Sequence, residues 1–179
     1  QYDYYPATGE KNSSGIELCP ADPNGFIHYT KKKTVSAINP TSNTINKCYG
    51  YTYEKMPGVD LIVLGTENFS TGTTDPDDIQ ARKAQKKYSY QTEGVFIGQL
   101  KQVIEQMPPF TQGPDGTVSA DIYKTTINYT YTLASSGLII QKTIIGYDNA
   151  EKNNSLVQDV NTTDVIRVVD ENRLETLYE

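Results

Sequence analysis

Apolar and polar residues alternate along much of this chain, a pattern that predicts β-strands. In one such segment Tyr49, Tyr51 and Tyr53 occupy every second position, so in a strand their side chains lie on one face of the sheet. A second alternating segment covers 127–133, and an apolar run at 138–145 follows it after a short turn. Turn signals rich in glycine, proline and asparagine separate further strand candidates. The pattern therefore predicts a mainly antiparallel sheet.

Two segments in the middle of the chain carry helical signals instead. Over 92–107, apolar residues recur at the spacing of one helical face and two prolines follow, which predicts a helix that packs on the sheet. Over 75–86, a proline and three aspartates at the start predict a second, mostly exposed helix. The residues expected to be buried by the first helix are Phe96, Leu100, Val103 and Met107.

Together these elements predict an α+β, β-rich fold. The sheet is expected to form a sandwich or a partly closed barrel, with one main packed helix near 92–107. The length of 179 residues fits a single domain. We expect this domain to cover 16–179 and to follow a polar N-terminal arm, 1–15, that has too little apolar surface to fold alone. A neighbouring subunit is expected to supply part of the contacts that hold the arm.

Charge and hydropathy argue against two classes of partner. The chain has 16 basic and 22 acidic residues, a net charge of −6, whereas proteins that bind double-helical nucleic acid are usually basic. The longest strongly apolar run, 61–64, is far too short to cross a bilayer. The sequence lacks a glycine-rich phosphate loop and the ligand spacing of a zinc site. We therefore predict no nucleic-acid partner, no membrane insertion, no cofactor and no metal.

Two cysteines and five glycosylation sequons point to an oxidising, extracellular location. Cys19 and Cys48 are the only cysteines, and a disulfide between them would close a loop of about 30 residues and stabilise the fold by roughly 3–4 kcal/mol. The alternative is a pair of buried thiols. N-x-S/T sequons are the acceptor pattern for N-linked glycan. Their asparagines are Asn12, Asn68, Asn128, Asn153 and Asn161. We expect Asn128 to carry glycan first, because it lies on the polar side of an alternating strand.

Candidate catalytic residues are few. His28 is the only histidine and is expected on a strand with its tip in solvent, because no activating motif surrounds it or either cysteine. Asp75, Asp77 and Asp78 lack the spacing of a calcium loop and suit a helix N-terminus instead. No particular pair of carboxylates is marked for glycoside hydrolysis. The sequence therefore predicts a protein without enzymatic activity.

The best candidate binding surface is the row formed by Tyr49, Tyr51 and Tyr53. Tyrosines on one strand face can hold a sugar ring or a partner subunit, and the alternative is that the row packs under the helix. The basic run at 31–33 could contact an acidic surface but is more typical of a solvated turn or a guarded strand edge.

These features predict a secreted or cell-surface, non-enzymatic, β-rich domain of extracellular assembly or adhesion. Its expected partners are copies of itself or another extracellular protein, with a glycan as a further candidate. Two alternatives stay open. A secreted lipocalin-like carrier of a small apolar ligand needs an enclosed apolar cavity, and a carboxylate-dependent hydrolase needs a cleft with two facing carboxylates of perturbed pKa.

Overall fold

The described part of the chain consists of β-strands, turns and loops. The computed structural model describes residues 1–36, 46–72, 75–113, 118–119, 123–159, 165–170 and 172–177. These ranges contain no helix with the length and hydropathy needed to span a membrane. The strands are β1 (Tyr2–Tyr4), β2 (Glu10–Lys11), β3 (Glu17–Cys19), β4 (Thr30–Ser36), β5 (Asn46–Lys55), β6 (Ile62–Thr71), β7 (Arg82–Tyr90), β8 (Leu100–Met107), β9 (Thr111–Gln112), β10 (Val118–Ser119), β11 (Tyr123–Ala134), β12 (Gly137–Ile145), β13 (Glu151–Gln158), β14 (Val165–Val169) and β15 (Glu175–Leu177).

Eleven of these strands form one antiparallel sheet, and this corrects the predicted fold class. The strand order is β1-β4-β5-β6-β7-β8-β11-β12-β13-β14-β15, while β2–β3 and β9–β10 form two small separate sheets. The β-rich prediction is confirmed, but the α+β class is wrong, because the described residues contain no helix. The strands at the two ends of the order, β1 and β15, are not paired with each other, so the described sheet does not close into the predicted barrel.

The predicted helix over 92–107 is a loop followed by β8. Gly94 and Gly98 have φ angles of 76° and 86°, which glycine adopts readily and which a right-handed helix excludes. The β-branched residues that follow favour a strand. Val103 is buried as predicted, but Met107 is 58% exposed, so the expected helical face does not exist.

The predicted helix over 75–86 is a turn followed by β7. The Asp75 carboxylate accepts a hydrogen bond from the backbone N of Asp77 at 2.9 Å, and the Asp78 carboxylate accepts from two backbone N–H groups within the next three residues. Such side-chain turns compete with helix N-caps for the same residue types. From Arg82 onward the chain pairs with β6, so sheet pairing determines the structure here.

The chain divides into two compact units. Unit 1 comprises 1–88 and 105–124, and unit 2 comprises 89–104 and 125–179. The predicted boundary between an arm and a single domain, after residue 15, falls inside unit 1 and stays a prediction.

The beginning of the N-terminal arm is integrated into unit 1. Strand β1 pairs with β4, with Tyr2 opposite Lys33. Tyr5 is only 3% exposed, and its hydroxyl donates to the backbone oxygen of Tyr51 at 2.7 Å. Its ring meets that of Tyr53 edge to face, with centroids 6.1 Å apart. These contacts hold the arm to its own chain, and a contribution from a neighbouring subunit stays a prediction.

Cross-strand register gives the sheet of unit 1 two chemically different faces, because successive residues of a strand point to opposite sides. One face carries a row of aromatic and basic side chains. Running from β1 to β6, that row is Tyr2, Lys33, Tyr49 and Phe69. The other face carries a row of polar side chains and one glycine. Running from β1 to β7, it is Asp3, Lys32, Gly50, Asn68 and Gln85.

Unit 2 contains few fully buried apolar side chains. In its described residues only Val103 and Val157 belong to the buried apolar core. Strands β11 to β14 align four large side chains directly opposite one another, and we call these the apolar row. They are Tyr131, Ile140, Leu156 and Val168. All four are half-buried.

Candidate functional site

The predicted tyrosine row lies on one face of β5 and extends across neighbouring strands. Tyr49 packs on Phe69 with ring centroids 5.0 Å apart. The Nζ of Lys33 lies 5.7 Å from the centroid of the Tyr49 ring and 5.6 Å from that of Tyr2, within reach of cation–π attraction to both rings. The alternative interpretation was that the row packs under the predicted helix. The described residues contain no helix, so the row is not covered in that way. We call this surface the tyrosine face.

The tyrosine face is only partly open to solvent. Tyr49, Tyr51 and Tyr53 are each half-buried. A shallow cavity of about 330 Å³ is bordered by Tyr2, Lys33, Tyr51 and Tyr53. Loss of hydration raises the pKa of Tyr51 to about 12, with the nearby charge of Glu67 acting in the same direction, so Tyr51 is a neutral hydrogen-bonding phenol at physiological pH. Its role as a binding surface stays a prediction.

The opposite face of the unit 1 sheet borders a cleft that the sequence did not indicate. Two cavities, of about 520 and 440 Å³, share Leu18, Thr52, Asn68 and Asp77 in their walls. We call them together the polar cleft. Both volumes fall within the range of small-molecule sites. The walls combine carboxylate, ammonium, guanidinium and carboxamide groups with apolar side chains such as Leu18, Ile16 and Ile79, so they do not form the uniformly apolar cavity that a lipocalin-like carrier needs.

The first cavity of the polar cleft holds carboxylates with opposite pKa shifts. Asp3 forms an ion pair with Lys32 at 3.0 Å, and hydrogen bonds from Lys32 and Gln1 lower the pKa of Asp3. Loss of hydration raises the pKa of Asp77, and the charge of Asp75 adds to this effect. Asp75 and Asp77 lie on one turn and are joined by a hydrogen bond to backbone, so these two do not face each other across the cleft.

The second cavity has buried polar side chains in its wall. Arg82 is 4% exposed, and Asn68 and Gln85 are each 5% exposed. All three line the 440 Å³ cavity. Gln85 lies directly opposite Asn68 in the β6–β7 register. Arg82 and Gln85 both lie on β7, and Asn68 joins them only through the pairing of β6 with β7, so the local sequence carried no signal for this cluster.

The predicted disulfide is not present. Cys19 and Cys48 are both buried thiols, as the alternative had it. The charged residues that affect the two thiols differ. The charges of Glu17, Asp22 and Glu10 influence the pKa of Cys19, whereas those of Lys32, Asp75 and Asp77 influence the pKa of Cys48. Burial raises the pKa of both thiols, that of Cys19 to about 11, and this opposes the thiolate that a nucleophile requires.

His28 is placed beside an acid rather than a cysteine. Its Nε2 lies 3.6 Å from a carboxylate oxygen of Asp22, and its side chain is 50% exposed. Its ring also packs on that of Tyr29, with centroids 4.0 Å apart. The Asp22 carboxylate accepts hydrogen bonds from the backbone N of Asn24 and of Phe26, so it organises a turn. The geometry is that of a loop histidine at a structural turn.

The sequon asparagines differ in how accessible they are. Asn153 is exposed, and Asn12 and Asn128 are half-buried. Asn68 is buried and hydrogen-bonded to Gln85 at 2.8 Å, so the folded unit has no room for a glycan there. Asn161 lies outside the described residues. Glycosylation of the other sites stays a prediction.

The basic run on β4 is engaged inside unit 1. Lys31 forms an ion pair with Glu10 at 2.6 Å, Lys32 pairs with Asp3, and Lys33 contacts the tyrosine face. These contacts within unit 1 explain the basic run, and no acidic surface on another molecule is needed to explain it.

Neither a metal-binding group in the described residues nor a similarity to known proteins helps to assign this site. Across the described ranges, no group of three or more His, Cys, Asp and Glu side chains is arranged to hold a metal ion. Comparisons with protein-family models, curated proteins and solved structures find no significant similarity to this chain. The site is therefore interpreted from its own residues.

Proposed function

We propose that this protein is a non-enzymatic structural subunit of extracellular assembly or adhesion, and that it associates through unit 2. The single observation that supports this is the apolar row Tyr131, Ile140, Leu156 and Val168 on a sheet face that is left half-exposed. A sheet gains stability by burying its apolar face against another layer. In unit 2, the ring of Phe96 packs against the row, with its centroid 5.4 Å from that of Tyr131.

The proposed occupant of this face is a second copy of the chain. The apolar row is straight, because its members are direct cross-strand partners. Two such rows can pack face to face, as the layers of a β-sandwich do, about 10 Å apart. Pairing of identical faces gives a closed twofold dimer.

Placement of two sequons supports an extracellular setting for this arrangement. Asn128 and Asn153 both lie opposite Thr143, one on each neighbouring strand. Alternation places these residues on the face opposite the apolar row. Glycans on them would cover the far side of the sheet and leave the apolar row available to the partner.

Native mass and glycan content test the proposal. We expect analytical ultracentrifugation of the protein purified from its natural source to give twice the monomer mass at micromolar concentration. Mass spectrometry of the same material should find glycan on Asn153 or Asn128. A protein that stays monomeric up to about 1 mM, the limit of weak association, would contradict the assembly function.

A carboxylate-dependent hydrolase is the second candidate, and one observation favours it. Asp3 and Asp77 line the same cavity and have pKa shifts in opposite directions, as the acid and base of a catalytic pair often do. If this candidate is right, the wild type hydrolyses one or more of a panel of chromogenic glycosides, and Asp77→Asn abolishes the activity without changing the melting temperature. Absence of turnover by the wild type on the whole panel would count against it.

A further inference from the structure

Arg82 is a buried cation whose hydrogen-bonding capacity is largely unused. Its Nη2 donates to the backbone oxygen of Pro76 at a long 3.4 Å, and its guanidinium carbon lies 5.7 Å from the ring centroid of Phe110. Nε and Nη1 are buried and have no hydrogen-bond partner. A buried charge with unsatisfied donors is costly, so this arrangement calls for an acceptor that enters the cavity.

A second unsatisfied group lines the same cavity. Gln85 uses its Nε2 to donate to the Oδ1 of Asn68 at 2.8 Å, and this leaves its Oε1 buried without a partner. The hydroxyls of Thr52 and Thr66 lie 2.7 Å apart in the same wall. The cavity therefore offers cationic donors, a carboxamide acceptor and hydroxyl groups around a volume of about 440 Å³.

The charges around Arg82 further restrict the chemical class of the ligand. None of the described ion pairs includes Arg82. The nearby carboxylates act on it only at longer range, Asp77 most strongly. Lys87, Glu17 and Asp77 also line this cavity, and the ammonium of Lys87 already donates to the backbone oxygen of Val118 at 2.6 Å. Arg82 is therefore the cation of this wall with unsatisfied donors, which suits a monoanion, and the two carboxylates disfavour a dianion such as phosphate. Nε and Nη1 point to different sides of the planar guanidinium, so a single small anion does not satisfy both.

We propose that the Arg82 cavity of unit 1 binds a small hydroxylated monocarboxylate, that is, a sugar acid of the uronic or sialic type. Nε and Nη1 of Arg82 are buried, so the ligand reaches them only when neighbouring side chains of the wall shift; its carboxylate then accepts a hydrogen bond from Nε, and a neighbouring ligand oxygen accepts from Nη1. A ligand hydroxyl donates to Oε1 of Gln85. Each unsatisfied buried group then has a partner, and charge-assisted bonds to a guanidinium are among the stronger ones. The site is independent of the association through unit 2.

Titration calorimetry on the full chain tests this site with D-glucuronate as the first probe and N-acetylneuraminate as the second. We expect saturable binding of at least one of them. D-glucose should bind at least tenfold more weakly than D-glucuronate, because it lacks the carboxylate. Acetate and inorganic phosphate should also bind at least tenfold more weakly, because they lack the hydroxylated ring.

Three variants assign the binding to the cavity. Arg82→Met should abolish binding of the sugar acid, whereas the matched control Arg167→Met, at an exposed arginine of unit 2, should bind as the wild type does. Gln85→Leu keeps the guanidinium and removes the acceptor. It should weaken sugar-acid binding at least tenfold and leave any weak acetate binding unchanged, and it serves as the decisive variant if Arg82→Met does not fold.

Three results would overturn the proposal. The first is no binding of either sugar acid at millimolar concentration. The second is acetate or phosphate binding as tightly as the sugar acids, which would identify a simple anion site. The third is unchanged binding by folded Arg82→Met or by Gln85→Leu, which would place the ligand elsewhere.

Discussion

At the scale of single residues, the polar cleft depends on the absence of a side chain at Gly50. A Cβ at this position would lie 2.4 Å from the Cβ of Pro76, far inside ordinary van der Waals contact. The turn that carries Asp75 and Asp77 therefore reaches the sheet only because residue 50 is glycine. Two of the carboxylates of the cleft thus owe their position to one missing methyl group.

We predict that Gly50→Ala destabilises the protein by about 1–3 kcal/mol, the usual cost of inserting a methyl group into a packed site. The matched control is Gly65→Ala on the adjacent strand β6, where the new Cβ would have Thr52 Oγ1 as its nearest neighbour at 3.4 Å and the change should be small. Urea unfolding of both variants measures the difference. Equal unfolding midpoints would show that the Pro76 turn does not rest on Gly50.

The thiol of Cys19 allows a second prediction at this scale. Its pKa is raised from the ordinary 9.0 to about 11 by burial. Because the folded-state pKa lies above the unfolded one, the contribution of this group to stability is complete below about pH 9 and is lost as pH rises toward about 11. Folded protein at pH 8 should therefore react very slowly with iodoacetamide.

The same reagent distinguishes the thiol from a disulfide. After denaturation without reductant, mass spectrometry should find both cysteines carbamidomethylated. If both cysteines react only after a reductant is added, they are joined by the disulfide that the sequence predicted.

At the scale of elements, β8 shows why one apolar spacing had two interpretations. Phe96, Leu100, Val103 and Met107 fit a helical face, but Gly94 and Gly98 take positive φ angles and prevent the helix from starting. In the strand that forms instead, Val103 is 6% exposed and Met107 is 58% exposed. The two residues were equivalent in the helical interpretation and are very different in the sheet.

We therefore predict that Val103→Ala costs about 2 kcal/mol through lost burial and a cavity. Met107→Ala should stay within about 0.5 kcal/mol, as is usual for exposed positions. Chemical denaturation of the two variants checks this contrast. A similar loss for both would indicate that Met107 is covered and would support the helical interpretation.

The local alternation of residues was sufficient to predict strands, but the sequence did not show which distant strands pair or in which register. The spacing of Tyr49, Tyr51 and Tyr53 was sufficient to predict their strand, because a period of two is a local property. The polar cleft could not be predicted from such local spacing. Asn68 and Gln85 are brought together by the register of β6 with β7, and their separate sequence environments contain no trace of it. The disulfide inferred from one pair of cysteines and the secretory features of the chain is absent as well, because neither of these signals shows which strands place two residues side by side.

At the scale of the whole molecule, the two units differ in how their sheet faces are used. In unit 1 one face borders the polar cleft and carries buried polar groups, while the other presents aromatic rings. In unit 2 the apolar row is only half-buried, and Leu133 on the same face is 64% exposed. Unit 1 therefore has the features of a small-ligand site, and unit 2 has those of a protein-binding surface.

Leu133 gives the sharpest test of association through unit 2. It lies two residues from Tyr131 on the same strand and hence on the face of the apolar row. Because it is already exposed, Leu133→Lys should leave the melting temperature of the monomer almost unchanged. In the proposed dimer, however, the lysine would be buried against an apolar surface, and we expect the dissociation constant to rise at least tenfold. Thr132→Lys is the matched control, since Thr132 is also exposed but points to the opposite face. Sedimentation velocity of the wild type and both variants over a concentration series measures the effect. Equal association of Leu133→Lys and Thr132→Lys would exclude this face as the interface, because only one of the two substitutions places a charge there.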